Sequence, residues 1–123
     1  MKIRIKGNSI RYRLTRPEVE RFGETGYIEE KINFGGNTLI YSLQEYKTDD
    51  QLTASFHGNK ISVFMPESWK ERWVDSEKVG FEGYQHNLNS ESLHILIEKD
   101  FQCLDNVAED QSDQYPNPLA ENK

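Results

Sequence analysis

Basic residues at alternating positions open the chain. The first 16 residues contain six Lys or Arg side chains and no acid. Four of the six alternate with other residues on either side of a Gly–Asn turn: Arg4, Lys6, Arg11 and Arg13. Side chains two residues apart in a strand point to the same face, so paired strands would present these cations together. Such a face binds phosphate oxygens or base edges. The pattern predicts a nucleic-acid-binding face for duplex DNA, with Asn8 in the intervening turn as a fifth contact.

An ordinary solvated strand face is the alternative interpretation. Cross-strand carboxylates such as Glu29, Glu30 or Glu45 would then cancel the field of the cations. The formal net charge, 15 − 21 = −6, favours this alternative, because attraction to phosphates dominates nucleic-acid affinity.

An acidic segment, residues 105–123, ends the sequence and offers a competing function. Its apolar residues are too sparse to offset the cost of ordering, which predicts a mobile tail. We expect the tail either to bind a basic protein partner, to act as a solubilising extension, or to rest on the basic N-terminal hairpin and restrain its binding to DNA. The candidate partner-binding residues are Asp105, Glu109, Asp110, Asp113 and Tyr115.

No motif of a catalytic or metal site stands out. The spacing of His57, His86, His94 and Cys103 matches no zinc motif, and neither a serine-nucleophile motif nor a glycine-rich phosphate loop occurs. We therefore expect no enzyme activity, no metal and no cofactor. Two tryptophans, Trp69 and Trp73, are four residues apart, which favours packing of a helix into the core over a ligand pocket.

Length and composition bound the architecture. With 123 residues, of which 35% are hydrophobic, the chain predicts a single globular domain over residues 1–104. No run approaches the roughly 20 apolar residues of a membrane span, and the first residues alternate in charge where a signal peptide would be apolar. A single cysteine favours the cytoplasm, and no membrane partner is expected.

The spacing of hydrophobic residues and the positions of turn residues predict the secondary structure. Thr15 and Glu18 have capping-box spacing, which predicts the start of a short helix. Gly23 is the predicted end of this helix. A second short helix is expected at 66–73. Strands are predicted at 2–6, 10–14, 27–34, 38–46, 52–57, 60–65, 78–85 and 92–100, several of them joined by Gly–Asn turns. The fold class is α+β, mainly antiparallel β with two short helices.

The two halves, about 1–47 and 51–101, repeat the order ββαββ. At a shift of 51, Gly7, Asn8, Ile10, Glu20 and Arg21 meet identical residues. Across the last strand the shift becomes 54, which places a three-residue gain in the last hairpin. The sequence thus predicts an internal duplication packed around a pseudo-twofold axis, and a monomer that mimics a dimer.

The first repeat has a Gly–Asn–Ser turn followed by a strand that ends in a basic and an aliphatic residue: Gly7, Asn8, Ser9, Arg13 and Leu14. The second repeat has Gly58, Asn59, Met65 and Pro66, with Phe64 in place of the basic residue. On these residues, the chain resembles the SpoVT/AbrB and MazE swapped-hairpin families, in which two chains each contribute ββαββ. The resemblance implies a swapped-hairpin barrel fused into one chain, a DNA-binding regulator, and an acidic arm that binds a partner.

The whole chain also resembles a family of small bacterial proteins of unassigned function. The similar segments are residues 2–11, residues 98–104 and Pro116-Asn117-Pro118. This resemblance implies no particular biochemistry.

Overall fold

The computed structural model describes residues 1–47, 50–88 and 91–100. Both halves contain two strands, a helix and two further strands, as predicted. The first half comprises β1 (Lys2–Lys6), β2 (Ser9–Leu14), α1 (Arg16–Thr25), β3 (Tyr27–Asn33) and β4 (Thr38–Tyr46). The second half comprises β5 (Thr53–His57), β6 (Lys60–Pro66), α2 (Glu67–Val74), β7 (Gly80–His86) and β8 (Ser92–Lys99). The mainly antiparallel β architecture with two helices is confirmed.

The strands form two four-stranded sheets, each built from both halves. Sheet A has the order β1–β2–β8–β7, and sheet B has the order β3–β4–β6–β5. In each sheet two antiparallel hairpins meet through one parallel pair, β2 with β8 or β4 with β6. The predicted closed barrel is wrong: the described strands leave β1 and β7, and likewise β3 and β5, as sheet edges instead of pairing one sheet with the other.

The strand registers coincide between the two sheets. The parallel pair joins Ser9 to His94 in sheet A and Lys60 to Ile40 in sheet B. The shifts are 60 − 9 = 51 and 94 − 40 = 54, the same values that the sequence repeat gives. The β1–β2 and β5–β6 hairpins also superimpose in register at a shift of 51.

The extra residues of the second half lie in two places. Gly80 of β7 takes the register position of Tyr27 in β3, a shift of 80 − 27 = 53. Two residues are therefore added between α2 and β7, and only one lies in the last hairpin. The prediction that the last hairpin contains all three additional residues is wrong. The shift of 54 at β8 is the sum of all earlier insertions, so it does not show where each insertion lies.

Helix α1 begins as predicted and ends later. Thr15 caps it, and Glu18 completes the capping box through the backbone N–H of Thr15. The helix runs past the predicted stop at Gly23 to Thr25, and Gly26 supplies the left-handed cap with φ 75°. Gly23 instead serves helix packing, since a Cβ there would lie 2.8 Å from Val74 Cγ1 on α2.

The core lies between the sheets and under both helices. Phe22 of α1 and Trp73 of α2 are fully buried and meet edge to face, with ring centroids 6.3 Å apart. The Trp73 indole N–H donates to the carbonyl of Val79 (3.0 Å), and Trp69 stacks on Phe81. The prediction that the tryptophans pack into the core is confirmed.

The chain start is anchored in this core. The Met1 ammonium group donates to carboxylate oxygens of Glu18 and Glu30, and the Tyr41 hydroxyl donates to the Met1 carbonyl at 2.6 Å. Burial alone would lower the pKa of the ammonium, but the two carboxylates outweigh burial and raise the pKa. Burial likewise opposes ionisation of Glu18, whose pKa is nevertheless lowered by the hydrogen bonds from Met1 and Thr15.

Candidate functional site

Five cations share the outer face of the β1–β2 hairpin, and we call this surface the basic face. Antiparallel pairing sets Arg4 directly opposite Arg11, and Lys2 opposite Arg13, with Lys6 at the turn end of β1. Pairing residues of an antiparallel ladder lie on the same side of a sheet. The structure thus brings together the four cations predicted from sequence, and it adds Lys2.

A shallow depression of about 190 Å³ lies within the basic face. Its lining comprises Lys2, Ile3, Arg4, Arg11 and Arg13. The lining is dominated by cationic groups, and guanidinium donors are suited to phosphate or carboxylate oxygens. The depression can therefore accept an anion.

Part of the basic face is neutralised by strand β8 and the residue after it. The Arg13 Nε and Nη2 atoms donate to one oxygen of Glu98, at 3.0 and 2.9 Å, and Arg11 Nε is 3.8 Å from the same oxygen. Lys2 Nζ lies 3.4 Å from Asp100 Oδ2. Within the described residues, the side chains of Arg4 and Lys6 take part in no ion pair or hydrogen bond.

The predicted neutralising carboxylates lie elsewhere. Glu29, Glu30 and Glu45 belong to sheet B. Glu30 meets the Met1 ammonium, Glu45 meets Lys70 Nζ at 2.7 Å, and Glu29 accepts from the Tyr27 hydroxyl at 2.6 Å. This detail of the alternative interpretation is wrong, because the parallel pairing of β2 with β8 brings the distant Glu98 beside Arg13.

Asn8 lies in the turn and not on the basic face. Its side-chain Nδ2 donates to the carbonyl of Ser92 at 2.7 Å, and its own carbonyl accepts from the backbone N–H of His94 at 3.1 Å. Both bonds tie the first hairpin to β8. A contact of Asn8 with nucleic acid stays a prediction.

The β5–β6 hairpin is the natural reference for the basic face. It has the same register and the same Gly–Asn turn. At the positions equivalent to the five cations it carries no Lys or Arg: Thr53, Ser55, His57, Ser62 and Phe64. One cation, Lys60, lies on the same outer face at the position equivalent to Ser9, and its Nζ donates to the Tyr27 hydroxyl at 2.8 Å. The hairpin and its parallel neighbour thus form without the row of five cations.

Sequence reasoning missed an aromatic pair beside the basic face. Tyr84 of β7 is 57% exposed, and its ring stacks on the imidazole of His94, with centroids 4.7 Å apart. His94 is the register partner of Ser9, so this pair lies on the outer side of sheet A with the cations. Alternating residues in β7 were the available signal, but only the cross-strand register shows that Tyr84 and His94 meet.

A second depression, of about 330 Å³, is apolar. It lies between the turn ends of the two hairpins, and its apolar lining includes Ile5, Ile10, Phe56, Ile61 and Leu93. It suits an apolar group and not a phosphate.

The remaining sequence predictions concern metal sites, membrane spans and the acidic tail. Over residues 1–47, 50–88 and 91–100, no three His, Cys, Asp or Glu side chains are grouped to hold a metal ion. None of the helices in those ranges is both long and apolar enough to cross a bilayer. Cys103 and the predicted partner-binding residues, from Asp105 to Tyr115, lie outside the described residues, so the tail prediction stays a prediction.

Comparison with curated proteins and with solved structures gives no match. The resemblance to the swapped-hairpin families is therefore not confirmed by a relative. A family model does match residues 1–119, and it spans both sheets and most of the acidic segment. By this match, the chain belongs to DUF7009, a family of unknown function.

Proposed function

We propose that this protein is a non-enzymatic nucleic-acid-binding protein whose basic face contacts the phosphodiester backbone. One observation carries the proposal: the β1–β2 hairpin bears five cations at positions where the equally folded β5–β6 hairpin bears none. The fold therefore does not require these cations. Exposed like charges placed side by side weaken a hairpin. Within the described residues, Glu98 and Asp100 pair with only three of the five cations, so Arg4 and Lys6 are best explained by a ligand.

The local charge supports binding although the whole chain is acidic. Among the residues that the structure describes on and beside the outer face of sheet A, five cations meet three carboxylates, those of Glu82, Glu98 and Asp100. The local balance is 5 − 3 = +2. Charges are screened over about 8 Å at physiological ionic strength, so distant acidic residues act weakly on a ligand at this face.

Arg4 and Arg11 provide the sharpest test. They face each other at the centre of the basic face, and neither holds Glu98 as tightly as Arg13 does. The β5–β6 hairpin supplies serine at both equivalent positions, so Arg4→Ser with Arg11→Ser uses residues that this register tolerates. Arg21→Ser with Lys31→Ser removes the same charge from exposed positions away from sheet A and serves as the matched control.

The measurement is fluorescence anisotropy of a labelled random duplex DNA, titrated with each full-length variant between 50 and 200 mM salt. We expect wild type and control to bind alike, with affinity falling steeply as salt rises. The Arg4/Arg11 variant should bind at least about tenfold more weakly, with a salt slope smaller by about two, or about one per phosphate contact. Failure of wild type to bind both this duplex and its separated strands at 50 mM salt, or equal losses in the two double variants, would refute the proposal.

The matching strand registers of the two sheets also support a proposal about the origin of the fold. We infer that the chain arose by internal duplication and that each half exchanges a hairpin with the other, because two pairing types keep identical registers at shifts of 51 and 54. A monomer with pseudo-twofold symmetry follows from this inference, in the manner of the swapped-hairpin families that the first repeat resembles. A single cysteine favours a cytoplasmic location for such a regulator.

A further inference from the structure

The aromatic pair on sheet A lies in one row with the basic face. Reading across the sheet from β1 to β7, the register places Lys6, Ser9, His94 and Tyr84 side by side. Three strand spacings of about 4.8 Å separate the ends of this row, so the backbone positions of Lys6 and Tyr84 are about 14 Å apart. A short nucleic-acid strand crossing the sheet would meet both.

The Tyr84 ring is not explained by packing. The other aromatic residue of β7, Phe81, faces the core and contacts Trp69 and Trp73. Tyr84 points to the opposite side and is 57% exposed. The position of sheet B with the same register holds Lys31, so the fold does not demand a ring there.

A polar atom with no hydrogen-bond partner lies beside this ring. His94 Nε2 is buried and, among the described residues, forms no hydrogen bond. The nearest carboxylate oxygen, Glu82 Oε1, is 3.7 Å away, beyond hydrogen-bond length. The stacked pair therefore combines an exposed tyrosine ring with a buried imidazole nitrogen that the described residues leave without a hydrogen bond.

We propose that Tyr84, supported by His94, is a stacking platform for an unpaired base, and that the preferred ligand is single-stranded nucleic acid. This inference rests on the proposed function, since the cations would hold the phosphates of the same strand. In a duplex, the faces of the bases are covered by their neighbours, so only an unpaired base can stack on Tyr84. Base–aromatic stacking tolerates any sequence and contributes about 1–3 kcal/mol per base.

The test compares full-length wild type, Tyr84→Ala and Tyr84→Phe. Labelled 12-mers of single-stranded DNA, single-stranded RNA and duplex DNA of one sequence are titrated by anisotropy. Phe34→Ala, which removes an exposed ring from the β3–β4 connection, is the matched control. Since 1.4 kcal/mol is tenfold, Tyr84→Ala should weaken single-strand binding by about 5- to 150-fold and duplex binding by less than about twofold. Tyr84→Phe should bind like wild type, because the ring remains.

Each outcome supports or overturns one statement. Loss confined to the single strands establishes the platform. Equal losses on single strands and duplex, or no loss, would refute the platform while leaving the basic face in place. Failure of wild type to bind any of the three ligands would refute the proposed function itself.

Discussion

The β1–β2 and β5–β6 hairpins have similar buried side chains but different side chains on their outer faces. Both place fully buried side chains at the end of the second strand, Leu14 in one and Met65 in the other. Both begin after a buried apolar residue, Met1 or Leu52. On the outer face, however, the first hairpin carries a row of five cations, whereas the second carries one lysine, Lys60, among neutral side chains and one histidine.

This difference separates what the fold needs from what it merely permits. The inner positions face a close-packed interior, where a lost methylene leaves a void. The outer positions face water, where most substitutions change stability by less than about 0.5 kcal/mol. Residues that the fold permits but does not need are the best candidates for function, so the comparison directs attention to Arg4, Lys6 and Arg11.

Substitutions of the equivalent buried residues should have the largest effects on stability. Leu14→Ala and Met65→Ala each remove a fully buried side chain from an equivalent position, and each should lower the free energy of unfolding by about 2–5 kcal/mol. Urea unfolding followed by tryptophan fluorescence measures both. Ile5→Ala, at a residue that is 59% exposed, is the control and should cost much less. If only one of the two buried positions proved sensitive, the two halves would not contribute equally to the core.

The elements were predictable because their signals are local. Alternation, Gly–Asn turns and the Thr15–Glu18 capping box are each contained within a few residues. The partners of the basic face were not predictable, because Glu98 reaches Arg13 only through a parallel strand pair that joins opposite ends of the chain. The stacking of Tyr84 on His94 is hidden for a similar reason, since it depends on the register of β7 with β8.

The two hairpins also begin with different charges, which predicts a pH dependence at the start of the first hairpin that has no counterpart at the start of the second. Leu52 follows an ordinary peptide bond, whereas Met1 carries an ammonium group between Glu18 and Glu30. The raised ammonium pKa contributes stability that is complete below the usual value of 8.0 and is lost as pH rises through the raised value. The lowered Glu18 pKa contributes stability that is complete above 4.5 and is lost as pH falls. Stability should therefore be greatest between about pH 5 and 8.

Glu18→Gln tests this anchor while preserving the capping geometry, because glutamine also completes a capping box. The free energy of unfolding at pH 7 should fall by about 1–2 kcal/mol, and the loss of stability between pH 7 and 10 should become smaller. Glu20→Gln, on the exposed side of the same helix, is the matched control and should change stability by less than about 0.5 kcal/mol. An unchanged profile above pH 7 in Glu18→Gln would show that Glu18 does not contribute to the raised pKa of the ammonium group.

The smallest expected effects concern the two turns, which are identical in sequence but use asparagine differently. Asn59 has φ 66°, in the left-handed region, so Asn59→Ala should cost about 1 kcal/mol and Asn59→Gly should restore stability to within about 0.5 kcal/mol of wild type. Asn8 contributes a side-chain hydrogen bond to Ser92 instead, so Asn8→Ala and Asn8→Gly should both cost about 0.5–1 kcal/mol. Urea unfolding of the four variants measures these free-energy changes and shows whether Asn8 and Asn59 have different roles. Rescue by glycine at both positions would mean that the Asn8–Ser92 bond adds nothing, and that the two turns are as alike in energy as they are in sequence.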